Sequence, residues 1–114
     1  MRDKLFLLKP DFSDPAYPGQ RFFCWHCALL EGVLASFPQL GDVLDVERIA
    51  WSRPRRAVID LIGESNQSLP VLVLACDAEA GLETGMANGQ RFVEGKDAIL
   101  AVLAARHGIA EPHP

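Results

Sequence analysis

Apolar residues along the chain fall in short blocks, and the spacing within each block predicts its element. The stretch Lys4 to Leu8, apolar from Leu5 onward, predicts a short strand covered on both faces. Pro10, Pro15, Pro18 and Gly19 then break every periodicity, predicting a long Pro-rich loop over 10–21. Beyond it Leu30, Val33, Leu34 and Phe37 recur at helical spacing until Pro38, so a helix is expected from Cys24 to Phe37. Leu44 and Val46 alternate with Asp45 and Glu47, the pattern of a half-exposed strand over Val43 to Ala50. Pro54 is placed to open a short second helix in which Val58, Leu61 and Ile62 share a face and Gly63 gives the stop. Pro70 precedes Val71 to Ala75, an apolar run expected as a third, central strand. Asn88-Gly89 is a strong turn dipeptide, with Gln90 to Val93 returning as a fourth strand antiparallel to the third and 77–87 an excursion from that hairpin. Ile99, Val102 and Leu103 line a last helix that starts at Lys96 or Asp97 and ends at Gly108, leaving a frayed tail over 109–114.

The order strand, helix, strand, helix, strand, strand, helix predicts an α/β fold with a mixed four-stranded sheet and three flanking helices. The front alternation implies parallel strands joined by right-handed crossovers, and the hairpin adds an antiparallel edge. A length of 114 residues suits one domain over 1–114. With 49% apolar and 23% charged residues the chain can bury a core. Its net charge of −4 removes the general attraction on which nucleic-acid binding relies, so no nucleic-acid partner is expected. Nothing approaches the roughly 20 apolar residues that span a bilayer, and Leu5 to Leu8 is too short for a signal-peptide core. A cytoplasmic location without a membrane partner follows as the expectation. Three cysteines, an odd number in a reducing compartment, point away from a disulfide framework and toward catalytic, metal-binding or buried roles.

Cys24-Trp25-His26-Cys27 sits where the first helix begins. Free N–H groups and the positive end of the helix dipole favour a thiolate at the first cysteine, the reactive form of the thiol. A gap of two residues lets Cys27 attack a mixed disulfide on Cys24 and release the product. A protonated His26 and Arg21 from the preceding loop would bracket the nucleophile with positive charge.

The element order, the CxxC at the first helix and the Pro entering the third strand together resemble the thioredoxin superfamily. Phe23-Cys24-Trp25-His26-Cys27 resembles its active-site segment, and Ser68-Leu69-Pro70-Val71 the stretch that carries its cis-proline. The nearer likeness is to glutaredoxins and the N-terminal domain of glutathione transferases, in 68–74 and in Glu94-Gly95-Lys96-Asp97 before the last helix. The resemblance implies Cys24 as nucleophile, Cys27 as resolving thiol and Pro70 shaping the adjoining groove. It further implies a Leu69 backbone that pairs with glutathione, Arg21 at a commonly basic position and Asp97 meeting the glutathione amine. Glutathione is then a cosubstrate rather than a tightly bound cofactor. Trp25 departs from the small or prolyl residue common after the first cysteine, as does the long loop before the motif. The chain also resembles an uncharacterised bacterial domain family with the same Phe-Cys-Trp-His-Cys segment.

Other residues have simpler readings. Zinc would need four ligands, and no second CxxC or His pair joins Cys24, His26 and Cys27. Cys76 lies six residues past Pro70, about 20 Å along a strand, as buried filler or an isolated exposed thiol. Arg53, Arg55 and Arg56 read as a solvated cluster paired with acids such as Glu64 or Asp60, with an anion site as the alternative. His107 and His113 read as a helix-end and a tail residue, Tyr17 as loop packing, and Trp25 as a partly exposed contact surface. Two functions remain open: a thiol–disulfide oxidoreductase acting on glutathione adducts or a disulfide-bearing protein, and an inert module of the same fold that binds glutathione, another anion or a protein.

Overall fold

The computed structural model describes all residues, Met1–Pro114. Five strands and three α-helices follow one another as β1 (Asp3–Leu8), α1 (Trp25–Ser36), β2 (Leu44–Ile49), α2 (Arg56–Ile62), β3 (Val71–Val73), β4 (Gly85–Ala87), β5 (Gln90–Glu94) and α3 (Lys96–His107). The sheet order is β2-β1-β3-β5-β4, with β1 and β2 parallel and the other pairs antiparallel.

Alternating side chains send the two faces of the sheet into separate cores. Leu5, Leu7, Leu72 and Val93 meet Cys27 and Leu30 of α1 and Ile99 and Leu103 of α3 on one face. Phe6, Val71, Val73 and Phe92 meet Val58 and Ile62 of α2 on the other. Because both faces are covered, β1 from Leu5 onward and β3 throughout are continuously apolar rather than alternating. The outer strand β2 alternates over Leu44 to Val46, which pack on the first core around exposed Asp45, and then slips, with Ile49 packing on the second core.

The sheet therefore has five strands and not four. Asn88-Gly89 turns β4 into β5, not the third strand into the fourth, although β5 does run antiparallel to β3. The supposed excursion over 77–87 ends in this added edge strand. Gly85 lies opposite Phe92, whose ring covers it so closely that a Cβ there would come within 2.5 Å. A three-residue strand with a glycine at one of its two half-buried positions has too little alternation to read.

Other boundaries shift for local reasons. Helix α1 stops at Ser36, and Pro38 opens a 3-10 turn over Pro38–Asp42 that buries Leu40. Pro54 does not begin α2: it follows a cis bond with Arg53, and the helix starts at Arg56. β3 ends at Val73, and Leu74 continues its pairing only through a bond from its amide to the Arg91 carbonyl. The loop over 10–21 is held by a Phe12–Phe22 bridge, by Phe12 stacked on Trp51 at 5.6 Å and by Tyr17 edge-on to Phe22 at 5.7 Å. Helix α3 ends as expected on left-handed Gly108, but Ile109 is buried in the core, so fraying does not begin there.

At the start of β1 the buried Asp3 carboxylate accepts from the Ala75 amide, from Nε and Nη2 of Arg106, and meets His107 Nε2 at 2.9 Å. This network fastens the end of α3 to the sheet. No helix is long and apolar enough to cross a membrane.

Candidate functional site

Helix α1 begins with cysteine in the role that serine or aspartate often fills. Cys24 has extended backbone angles at the N-cap, and its sulfur accepts from the Cys27 amide at 3.3 Å. The first turn carries no acidic side chain, so the sulfur alone meets the positive end of this 12-residue helix. Cys24 is half-buried, whereas Cys27, one turn on, is 2% exposed and packs in the core.

The two thiols thus sit in different surroundings. Burial pushes the Cys27 thiol up to about 12; a hydrogen bond from the Leu8 amide opposes this, while Cys24 and Glu31 add to it. That amide, at the end of β1, reaches the Cys27 sulfur at 3.4 Å. Glu31 is held ionised by a bidentate pair with Arg48 of β2, at 2.7 and 2.8 Å.

The β1–β3 register brings Pro70 to the same edge. Phe6 pairs with Val71, the residue after Pro70, and Leu8, two residues beyond Phe6, is the one whose amide meets the Cys27 sulfur. The Leu69–Pro70 bond is cis, and the Pro70 carbonyl accepts from Gly95 at the start of α3. Neither the Leu69 amide nor its carbonyl joins another backbone group. From α3 the Lys96 ammonium lies 5.4 Å from the Trp25 ring centre, and His26 packs edge-on against the same ring at 3.9 Å. Trp25 is 64% exposed and Phe23 62%, so aromatic surface flanks Cys24 on both sides.

Cys24, Trp25, His26, Cys27, Leu69 and Pro70 therefore gather at one edge, together with the start of α3. Arg21 does not serve as a cation for the thiols: the Asp11 carboxylate across the loop takes its guanidinium in a bidentate pair, and these two line a shallow hollow with Phe22 and Phe23. Asp97 stands at the rim, its exposed carboxylate 3.1 Å from the Lys96 ammonium. Cys76 is exposed. No group of three or more His, Cys, Asp or Glu side chains is arranged to hold a metal ion.

The arginine cluster does not form the expected solvated pairs with Glu64 or Asp60. Arg53 and Arg56 are exposed, but Arg55 is buried and gives its guanidinium to the carbonyls of Trp51 and Gln67. A run of arginines reads as solvent-facing, and nothing in the local pattern distinguishes its middle member. The Leu8 amide was equally hidden, because a backbone donor leaves no mark in a sequence.

Residues 2–111 match the family described as a protein of unknown function, DUF3088, and the chain belongs to that family. No curated protein and no solved structure matches it.

Proposed function

We propose that this DUF3088 member is a thiol–disulfide oxidoreductase with a thioredoxin-like fold, taking glutathione adducts or a disulfide-bearing protein as substrate. The observation that carries the reading is the asymmetry of the dithiol: an accessible sulfur capping a helix, and a buried one kept protonated. Exchange needs one thiol that meets the partner and another that waits until the partner is bound. The fold reading is supported by the parallel β1–β2 pair, by antiparallel β3 and β5, and by a cis-proline at the dithiol edge.

The Cys24 thiolate attacks one sulfur of a disulfide R–S–S–R′, forming Cys24–S–S–R and releasing R′S⁻. Capture of Cys24 in the mixed disulfide removes its negative charge, one of the influences that hold Cys27 protonated. Cys27 then passes its proton through solvent to R′S⁻ and attacks the Cys24 sulfur, forming Cys24–S–S–Cys27 and releasing RS⁻. Two electrons have reduced the substrate, and two molecules of glutathione return the dithiol to its reduced form while becoming glutathione disulfide. The unpaired Leu69 backbone offers an extended partner both a donor and an acceptor beside the sulfurs.

Cys27→Ser, in a Cys76→Ser background, should accumulate a mixed disulfide through Cys24 when treated with glutathione disulfide, seen as a mass gain that dithiothreitol reverses. Absence of an adduct with both glutathione disulfide and a disulfide-bearing protein would reject the reading.

A further inference from the structure

Two short segments carry the dithiol edge, residues 22–25 and 67–70, and contacts join them at both ends. At one end the start of α3 lies between them: the Gly95 amide donates to the Pro70 carbonyl at 3.5 Å, and the next residue, Lys96, sets its ammonium 5.4 Å from the Trp25 ring centre. At the other end stands Arg55, which is 7% exposed. Its guanidinium donates to the Gln67 carbonyl at 2.7 Å and to the Trp51 carbonyl at 3.0 and 2.6 Å, while its amide donates to the Gln67 side chain at 2.9 Å. The Trp51 ring stacks on Phe12 at 5.6 Å, and Phe12 and Phe22 exchange backbone hydrogen bonds of 2.9 and 2.7 Å.

Cys24 lies between the two joints on the first segment, and Leu69 lies between them on the second. The contacts therefore close a ring around the space between the Cys24 sulfur and the Leu69 backbone, whose amide and carbonyl join no other backbone group. Within this ring Arg55 is an unusual choice of tie. Two other arginines with little exposure have acids, Arg91 with Glu83 and Arg106 with Asp3, whereas Arg55 has carbonyls alone. Burying a guanidinium on carbonyls is unfavourable in itself, but its rigid fork fixes the separation between the Trp51 and Gln67 carbonyls.

We propose that Arg55 is a positioning residue of the dithiol site: through Trp51 and Phe12 on one side and Gln67 on the other, it sets how the Leu69 backbone stands to the Cys24 sulfur. The proposal rests on the oxidoreductase reading. A partner cysteine with a peptide bond on each side can pair with Leu69 and present its sulfur to Cys24 only when that spacing is right. The ring therefore acts on partners that have a peptide backbone, and the reactivity of Cys24 itself does not depend on it.

The test uses the full chain with Cys27→Ser and Cys76→Ser as parent, so that Cys24 is the remaining thiol, and compares two probes. Glutathione disulfide carries a peptide bond on either side of each cysteine, and bis(2-hydroxyethyl) disulfide has none. With each probe Cys24 forms a mixed disulfide, a thiolate leaves, and the rate is read from the mass gain. Arg55→Lys keeps the charge and loses the fork; it should slow the reaction with glutathione disulfide about tenfold, the worth of one hydrogen bond, and stay within about twofold of the parent with the hydroxyethyl probe. Phe12→Leu, at the far end of the same bridge, should show the same selectivity, and the double variant should lose no more than about twofold beyond either single one. Equal slowing with both probes, parent-like rates with glutathione disulfide, or losses that multiply in the double variant each overturn the proposal. Should Arg55→Lys fail to fold, Phe12→Leu decides on the same two probes, because Phe12 is half-buried in a surface loop. A parent that forms an adduct with neither probe would count against the oxidoreductase reading instead, so the two failures are distinct.

Discussion

At one end of β1 the Asp3 carboxylate accepts a backbone amide, is clasped by Arg106 and touches His107. At the other end the Leu8 amide stops on a sulfur at 3.4 Å, a second sulfur takes one amide at 3.3 Å, and a buried guanidinium meets only carbonyls. At the first end the buried carboxylate is closed by a guanidinium of opposite charge and by a backbone amide. At the second end Glu31 and Arg48 pair, but each sulfur takes a single long amide bond and Arg55 has no acid partner. Stability and reactivity are therefore segregated along one strand, and a substitution should disturb one without the other.

The largest effect belongs to the closed end. Asp3→Ala strips Arg106 of its buried partner and leaves the Ala75 amide unpaired, and it should lower the unfolding free energy by about 3 kcal/mol in urea titrations. Cys24→Ser, which keeps a capping oxygen, should stay within about 0.5 kcal/mol of the parent. Equal losses in the two variants would break the comparison.

Acid acts on the same end. Burial pushes the Asp3 carboxyl up, but Arg106, the Ala75 amide and His107 together outweigh it and hold the group below its ordinary 3.8. A depressed folded value means that the contribution is complete above about that pH and is lost as pH falls through the lower folded value. Urea titrations of the parent should show this decline below the ordinary value, and Asp3→Asn should flatten it. A parent and variant that decline in parallel would remove Asp3 from the account of acid sensitivity.

A smaller effect sharpens the contrast inside the dithiol. Cys27→Ala leaves a gap among core side chains and should lower stability by about 1–2 kcal/mol. Mass spectrometry of the native parent treated with iodoacetamide at neutral pH should show Cys24 and Cys76 modified and Cys27 spared until the chain is unfolded. Early labelling of Cys27 would erase the difference between the two sulfurs.

What the sequence disclosed, and what it hid, follow the same division between local and distant causes. The β1 run, the start of α1 at Cys24, the Asn88-Gly89 turn and the stop at Gly108 were legible because neighbouring residues determine them. Strand β4 was not, since Gly85 owes its place to the Phe92 ring across the pair. Burial of Ile109, Asp3 and Arg55 was hidden for a related reason. Asp3 meets Arg106 and His107 from the far end of the chain, and Arg55 meets Gln67 from another loop, so no window of sequence contains both halves of either contact. In the site the CxxC and Pro70 were legible as residues. Contacts between distant segments make them neighbours: the register of β1 against β3, the Leu8 amide on Cys27, and the start of α3, which meets both Pro70 and Trp25.

That register turns β1 into a ruler. Five residue steps separate Asp3 from Leu8, about 17 Å at the usual rise of a strand, with a fixed mark at either extremity: a carboxylate on Arg106 and an amide on the Cys27 sulfur. Insert or delete one residue between the marks and they cannot both be read, while every side chain beyond the change turns to the opposite face. Descendants of this chain are free to vary the letters between Asp3 and Leu8 but not their number.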